Sequence, residues 1–319
     1  MDNHDYRVDR LRLLACLGVV MLHSSAGTGT GDLILNALFR FSVPVFVIIS
    51  GWFQLSASPK RMGRKCAILV GRFFLWSAFY LVIRKLIWDI WPEDVLVYLL
   101  TEPVHLWYLY AAAALCILTP ALIPFVRSAD ASEYRYALTL CFVIGCVCVT
   151  LVRLGWIPVL AVILDKSKLP QMLGFLFLYL LGGYFRRFGM GSRKSWIAVG
   201  VLSSIVSALS CTGAYNQQFL SFISPNVVLA GAACFVVCMT ARPVAERYQG
   251  VLRKASECTM GIYLLHPLAS SLITPWLDPL RPSMYSAVYM LLRFSCLFSA
   301  TFLAVWLLGR IRFVKKYLL

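Results

Sequence analysis

The chain has 319 residues, of which 60% are apolar and 14% charged, and it carries a formal charge of +16. A soluble domain holds about 25% charged residues, so a mean hydropathy of +0.77 excludes an ordinary soluble globule and points to a polytopic membrane protein. The positive charge lies in short clusters between apolar runs, as topology signals do, so no nucleic-acid partner is expected.

Ten spans are predicted from length and apolarity, at roughly 10–27, 34–55, 67–88, 105–126, 137–156, 170–185, 195–213, 225–241, 258–275 and 285–309. The first follows Asp5, Arg7, Asp9, Arg10 and Arg12 and has no small-residue cleavage site behind it, so it reads as a span and not as a cleaved leader. The second contains FSVPVFVIISGWF and is followed by the basic loop SPKRMGRK. An acidic, aromatic segment, WDIWPEDVLVYLLTEPVHL, precedes the fourth span, which opens with HLWYLY. The later connections are RRFGMGSRK, the basic loop RPVAERYQGVLRKASE and the tail RIRFVKKYLL. Residues 1–319 are expected to form one hydrophobic unit, with no room among them for an appended soluble domain.

These basic loops, with Arg127 and Arg135, fall on one side of the predicted spans; the other side holds little beyond Lys166, Lys168 and Arg281, and carries Asp32, Asp89, Glu93, Asp94, Glu102 and Asp278. Both termini are therefore expected in the cytoplasm. The predicted fold is all-α, with about ten transmembrane helices in a cell inner (plasma) membrane. Eleven cysteines are scattered mostly through the apolar runs, with no CxxC pair and no His at metal spacing. They read as small apolar residues, with neither a metal site nor a disulfide framework expected.

Chemistry is sought first at His23, in VDRLRLLACLGVVMLHSS. Ten residues lie between it and Arg12, about three helical turns, so the two share a face and stand ~16 Å apart along the axis. That distance is about half the hydrocarbon thickness of a bilayer, where an ionisable residue marks a functional site by default. A neutral imidazole there can take a proton from a hydroxyl and return it; a histidine hydrogen-bonded within a bundle is the competing reading. Asp9 and Arg12 have the i,i+3 spacing of a helix pair, and Arg12 is equally an anchor at the membrane border.

Arg61 and Arg64 form RxxR, flanked by Lys60 and Lys65. Guanidinium forks suit the phosphates of an anionic donor such as a coenzyme A ester, and the same cluster serves as topology charge or a lipid head-group contact. Glu102 and His105 can share a helix face. Trp107, Tyr108 and Tyr110, with Trp91, offer rings for a sugar face or make an interfacial belt. His266 directly precedes Pro267, where a helix is perturbed. Arg40 and Arg72 are the in-span charges best placed to face a polar interior; the tail residue His4 is assigned no role.

Taken together, these motifs resemble the acyltransferase-3 family of integral membrane acyltransferases. The matching pieces are VDRLRLLACLGVVMLHSS, VPVFVIISGWF, the RxxR of KRMGRK, HLWYLYAAAALCILTP, FLYLLGGYF and MGIYLLHPL, in family order over nearly the whole chain. The HLWYLY form is similar to the surface-polysaccharide O-acyltransferase branch, which includes the enterobacterial common antigen O-acetyltransferase. The resemblance implies transfer from a cytoplasmic acyl-CoA, usually acetyl-CoA, to a hydroxyl of a glycan or lipid-linked sugar, with no metal. It implies that His23 is catalytic with Arg12 and Asp9, and that Lys60, Arg61 and Arg64 hold the donor. Glu102, His105, Trp107, Tyr108 and His266 are expected to meet substrate. The proline the family often carries after RxxR is missing from KCAILVGRFF. A transporter or flippase for a lipid-linked or small polar substrate is the alternative, suited by buried charges and an even number of spans. Membrane lipids are expected partners, and a homo-oligomer is compatible with the sequence.

Overall fold

A computed structural model of the chain describes residues 4–27, 29–59, 62–101, 105–157, 159, 161, 162, 164, 169–212, 218–312 and 314. Among them there are helices and no strand: α1 (Tyr6–His23), α2 (Thr30–Phe39), α3 (Ser42–Gln54), α4 (Met62–Trp88), α5 (Val95–Thr101), α6 (Trp107–Ser128), α7 (Ala131–Arg153), α8 (Leu169–Phe188), α9 (Arg193–Leu209), α10 (Pro225–Met239), α11 (Glu246–Glu257), α12 (Thr259–Leu277) and α13 (Ser286–Leu308). Five segments among the described residues are long and apolar enough to cross a membrane: Thr30–Gln54, which joins α2 to α3, and α4, α6, α7 and α13.

The first helix starts and stops earlier than its apolar run suggests. Asp5 caps it, accepting from the Arg7 amide at 3.1 Å. It ends at His23 because the next residues are drawn into a turn: the buried Asp32 carboxylate accepts from the Ala26 and Gly27 amides at 2.8 and 2.7 Å, and Gly27 has φ +68°. Asp32, expected in a loop, is 1% exposed. The second expected span breaks at Arg40 and Phe41. Pro44 has no N–H to give the Arg40 carbonyl, which favours the break where α2 meets α3. Helix α4 runs unbroken through KCAILVGRFF, as the missing proline allows.

Two segments read as loops are helical. In α5, Asp94 accepts from the Val97 amide at 2.9 Å. In α11, half-buried Gln249 and Leu252 and buried Ser256 recur at helical spacing and the other faces are exposed, giving a helix that lies against α1.

Glycines set the closest helix crossings. A Cβ on Gly51 of α3 would lie 1.8 Å from the Tyr179 carbonyl oxygen of α8, and one on Gly182 would lie 2.2 Å from the Ile48 oxygen of α3. These backbones touch because neither residue has a side chain, as small residues permit in membrane bundles. Around this pair α1 is the hub. It contacts α2, α3, α10, α11, α12 and α13. Leu11 and Ala15 join the core with α3, α8 and α10, while Cys16 and Val20 join a second cluster with α12 and α13.

Arginines gather at the end of the bundle where α1 begins, and they satisfy neighbouring helices there. Arg7 and Arg10 donate to the Met239 and Cys238 carbonyls at the end of α10, at 3.0 and 2.7 Å. Arg186 donates to Trp52 near the end of α3, at 3.2 Å, and Arg187 to Val126 near the end of α6. The last carbonyls of a helix have no partner within it, and a cation at that end also meets the negative pole of the dipole. The basic residues read as topology signals are thus also helix caps.

Candidate active site

A cavity of about 680 Å³ opens among α1, α3, α4, α6 and α12. Arg12, Gln54, Lys65 and Glu257 line its polar end, and the Arg12 guanidinium lies 5.6 Å from the centre of the Phe53 ring. Its middle is apolar and aromatic, built from Val19, Phe46, Ile49, Tyr108 and Tyr263. At the far end stand His23, His105, Trp107 and Phe222, with Trp107 stacked on Phe222 at 5.5 Å.

Three histidines converge there from three helices or their approaches. The His23 and His266 ring centres are 4.7 Å apart, and those of His105 and His266 5.8 Å. His266 is 1% exposed and His105 8%. His23, by contrast, is exposed, because it borders a cavity on each side.

Local sequence explains how the rings are held. Pro267 has no N–H, so the Tyr263 carbonyl four residues earlier loses its helical partner. His266 Nδ1 takes it at 2.7 Å, with Ile262 O at 3.2 Å. A carbonyl only accepts, so Nδ1 carries the proton and Nε2 of the neutral ring is an acceptor. That Nε2 is buried and has no hydrogen-bond partner among the described residues. Tyr80 donates to the next carbonyl, Leu264, at 2.7 Å and stacks edgewise on His105 at 4.7 Å. Tyr263 donates to the His105 carbonyl.

The second cavity, about 410 Å³, is lined by His23, His266, Pro267, Ser270, Ser271, Thr274, Pro275 and Arg293. His23 is the residue common to both linings among the described residues. Arg40 does not line either cavity; it donates to Leu220 O at 2.6 Å and lies over Phe222 at 5.4 Å. Arg72 lines a separate cleft with Lys254, Glu257 and Arg310.

The structure thus brings together Arg12, His23, His105, Trp107, Tyr108 and, across His23, His266. Asp9 is 3% exposed but stands 4.0 Å from Arg12; it is held at 2.5 Å by His4, a residue with no expected role. Arg64 is exposed, and its neighbour Lys65 reaches the cavity. Lys60, Arg61 and Glu102 lie outside the described residues. Trp91 is exposed and Tyr110 faces Phe73 at 4.2 Å, so neither joins the aromatic wall. The partners the sequence did not single out are Ser270, Thr274 and Phe222. No group of His, Cys, Asp and Glu suited to a metal ion occurs among the described residues.

The sequence model of the acyltransferase-3 family, described as an acyltransferase domain, matches residues 5–310. No curated protein and no solved structure matches the chain. A match over nearly the whole chain, on a bundle with several helices able to span a bilayer, leads to one conclusion: the chain belongs to the acyltransferase-3 family and is a multi-pass membrane acyltransferase.

Proposed function

We propose that the protein moves an acyl group, acetyl in the first instance, from cytoplasmic acyl-CoA to a hydroxyl of a cell-surface glycan or its lipid-linked precursor, as a surface-polysaccharide O-acyltransferase of the inner membrane. The observation that carries this is the placement of His23 between a cavity with a basic mouth and a cavity lined with hydroxyls. In this reading the chain crosses the membrane about ten times with both termini in the cytoplasm, so the mouth at Arg12 and Lys65 faces the donor pool.

Donor phosphates lie against Arg64, Lys65 and, from the sequence, Lys60 and Arg61. The pantetheine arm runs along the apolar wall toward His23, in keeping with the ~16 Å between Arg12 and His23 along α1. His23 accepts the proton of the acceptor hydroxyl as its oxygen attacks the thioester carbonyl carbon. The carbon–sulfur bond breaks, and the leaving thiolate takes the proton back from His23. The products are the O-acyl ester and free coenzyme A. In this reading the His266 ring, 4.7 Å from that of His23 between centres, accepts through its otherwise unpartnered Nε2 and holds the His23 orientation.

The test is incubation of the purified protein in lipid nanodiscs with labelled acetyl-CoA and glycan isolated from a deletion strain. Label in the glycan with stoichiometric thiol release is the expected result; no thiol release with acetyl-CoA or any other acyl-CoA contradicts the reading.

A further inference from the structure

Resting on that reading, we propose that the smaller cavity is the acceptor subsite and that it selects a hydroxyl compound bearing an anionic group, a carboxylate or a phosphate, through Arg293. His266, Ser270 and Thr274 recur every four residues on α12, so one helix face carries them from His23 outward. The Ser270 and Thr274 hydroxyls are 3.4 Å apart and line the cavity, a row of neutral donors and acceptors suited to sugar hydroxyls.

Arg293 enters from α13. It donates to Ser270 Oγ at 3.1 Å and approaches the Ser25 carbonyl at 3.4 Å. Both partners are uncharged, and its buried Nε has none among the described residues. Of the acids on adjoining segments, Asp278 accepts from Tyr289 at 2.7 Å, and Asp32 accepts from the Ala26 and Gly27 amides through one oxygen, its buried Oδ1 having no hydrogen-bond partner among the described residues; neither forms an ion pair with Arg293 among the described residues. A guanidinium held among apolar helices with no ion pair among the described residues is costly, and its planar fork matches a carboxylate or phosphate. The ligand that supplies the missing charge would bring its hydroxyl beside His23, in a cavity of ordinary ligand size. The anion comes either from a sugar acid within the glycan or from the diphosphate of a lipid-linked sugar.

Binding to the full-length protein in nanodiscs, measured by titration calorimetry, tests this with two matched pairs. One is p-nitrophenyl β-glucuronide against p-nitrophenyl β-glucoside. The other is polyprenyl diphosphate N-acetylglucosamine against an alkyl N-acetylglucosaminide. One anionic probe is expected to bind at least about tenfold more tightly than its neutral partner, and which one identifies the source. Arg293→Gln should erase the preference and Arg293→Lys keep part of it. Equal affinities within both pairs, or a preference that survives Arg293→Gln, overturns the proposal. If Arg293→Gln does not fold, Thr274→Phe fills the cavity with the charge intact; undiminished binding of the anionic probe then overturns it. Coenzyme A release from acetyl-CoA is followed in parallel. Charge-selective binding without release supports an anion-selective site at Arg293 but refutes acyl transfer and with it the acceptor role, whereas release without charge selection refutes the subsite alone.

Discussion

His23, the last residue of α1, and His266, in the middle of α12, stand with ring centres 4.7 Å apart and planes inclined at 50°. The proline after His266 creates this relationship. It frees the carbonyl that fixes the His266 ring, whose other nitrogen is buried and without a hydrogen-bond partner among the described residues.

His266 should therefore act through His23. His266→Phe is expected to lower kcat by ~10²-fold or more while the acetyl-CoA KM changes little. His266→Gln, which can donate to the Tyr263 carbonyl and still accept from His23, should recover most of the loss. Steady-state thiol release measures both; equal impairment in the two variants would show that only ring bulk matters.

The basic mouth should govern donor affinity. Arg64→Ala with Lys65→Ala is expected to raise the acetyl-CoA KM by about fivefold or more, with a smaller change in kcat. The effect should shrink as salt is raised, because exposed charges are screened within about 10 Å at 0.1 M. An unchanged KM at low salt would reduce these residues to topology signals.

The α3–α8 crossing should tolerate no side chain at Gly51. An added Cβ would sit 1.8 Å from a backbone oxygen, which cannot move as a flexible side chain would. Gly51→Ala is expected to destabilise the bundle by about 1–3 kcal/mol or more. Thermal unfolding in detergent measures it, with Gly250→Ala, at a site open to solvent, as the control.

Asp130 caps α7 through a capping box: it accepts from the Ser132 and Glu133 amides, and Glu133 accepts from the Asp130 amide. Those bonds, from Glu133 first and then Ser132, hold its carboxyl below the usual range. A depressed carboxyl pKa stabilises the fold above the unfolded value and ceases to do so as pH falls through the folded one. Asp130→Ala should therefore lower Tm at pH 7, and the gap to the native protein should close below about pH 4.

Much of this was legible in the sequence, for physical reasons. Apolar run length located helices over each predicted segment, because a bilayer leaves the backbone few alternatives. Arg12, His23, His105, Trp107 and Tyr108, named from the sequence and its family resemblance, line one cavity. What periodicity could not supply was the meeting of elements remote in the chain. Nothing in the spacing of His4 and Asp9 announces their pairing, and no local pattern says that Arg7 and Arg10 cap a helix more than two hundred residues away. The break at Arg40 could have been read from Pro44, and the row His266, Ser270, Thr274 from its spacing of four. The charged segment of α11 was passed over because its polar residues outweigh the narrow face it turns to α1.

The central claim is that the His23 ring receives the proton of the acceptor at the meeting of the two cavities. Its most direct test is acyl transfer by His23→Ala in nanodiscs, with labelled acetyl-CoA and the native glycan, at matched protein level and matched thermal stability. The account predicts a loss of ~10²- to 10⁴-fold in transfer with acetyl-CoA binding retained; transfer within a few-fold of the native protein would contradict it.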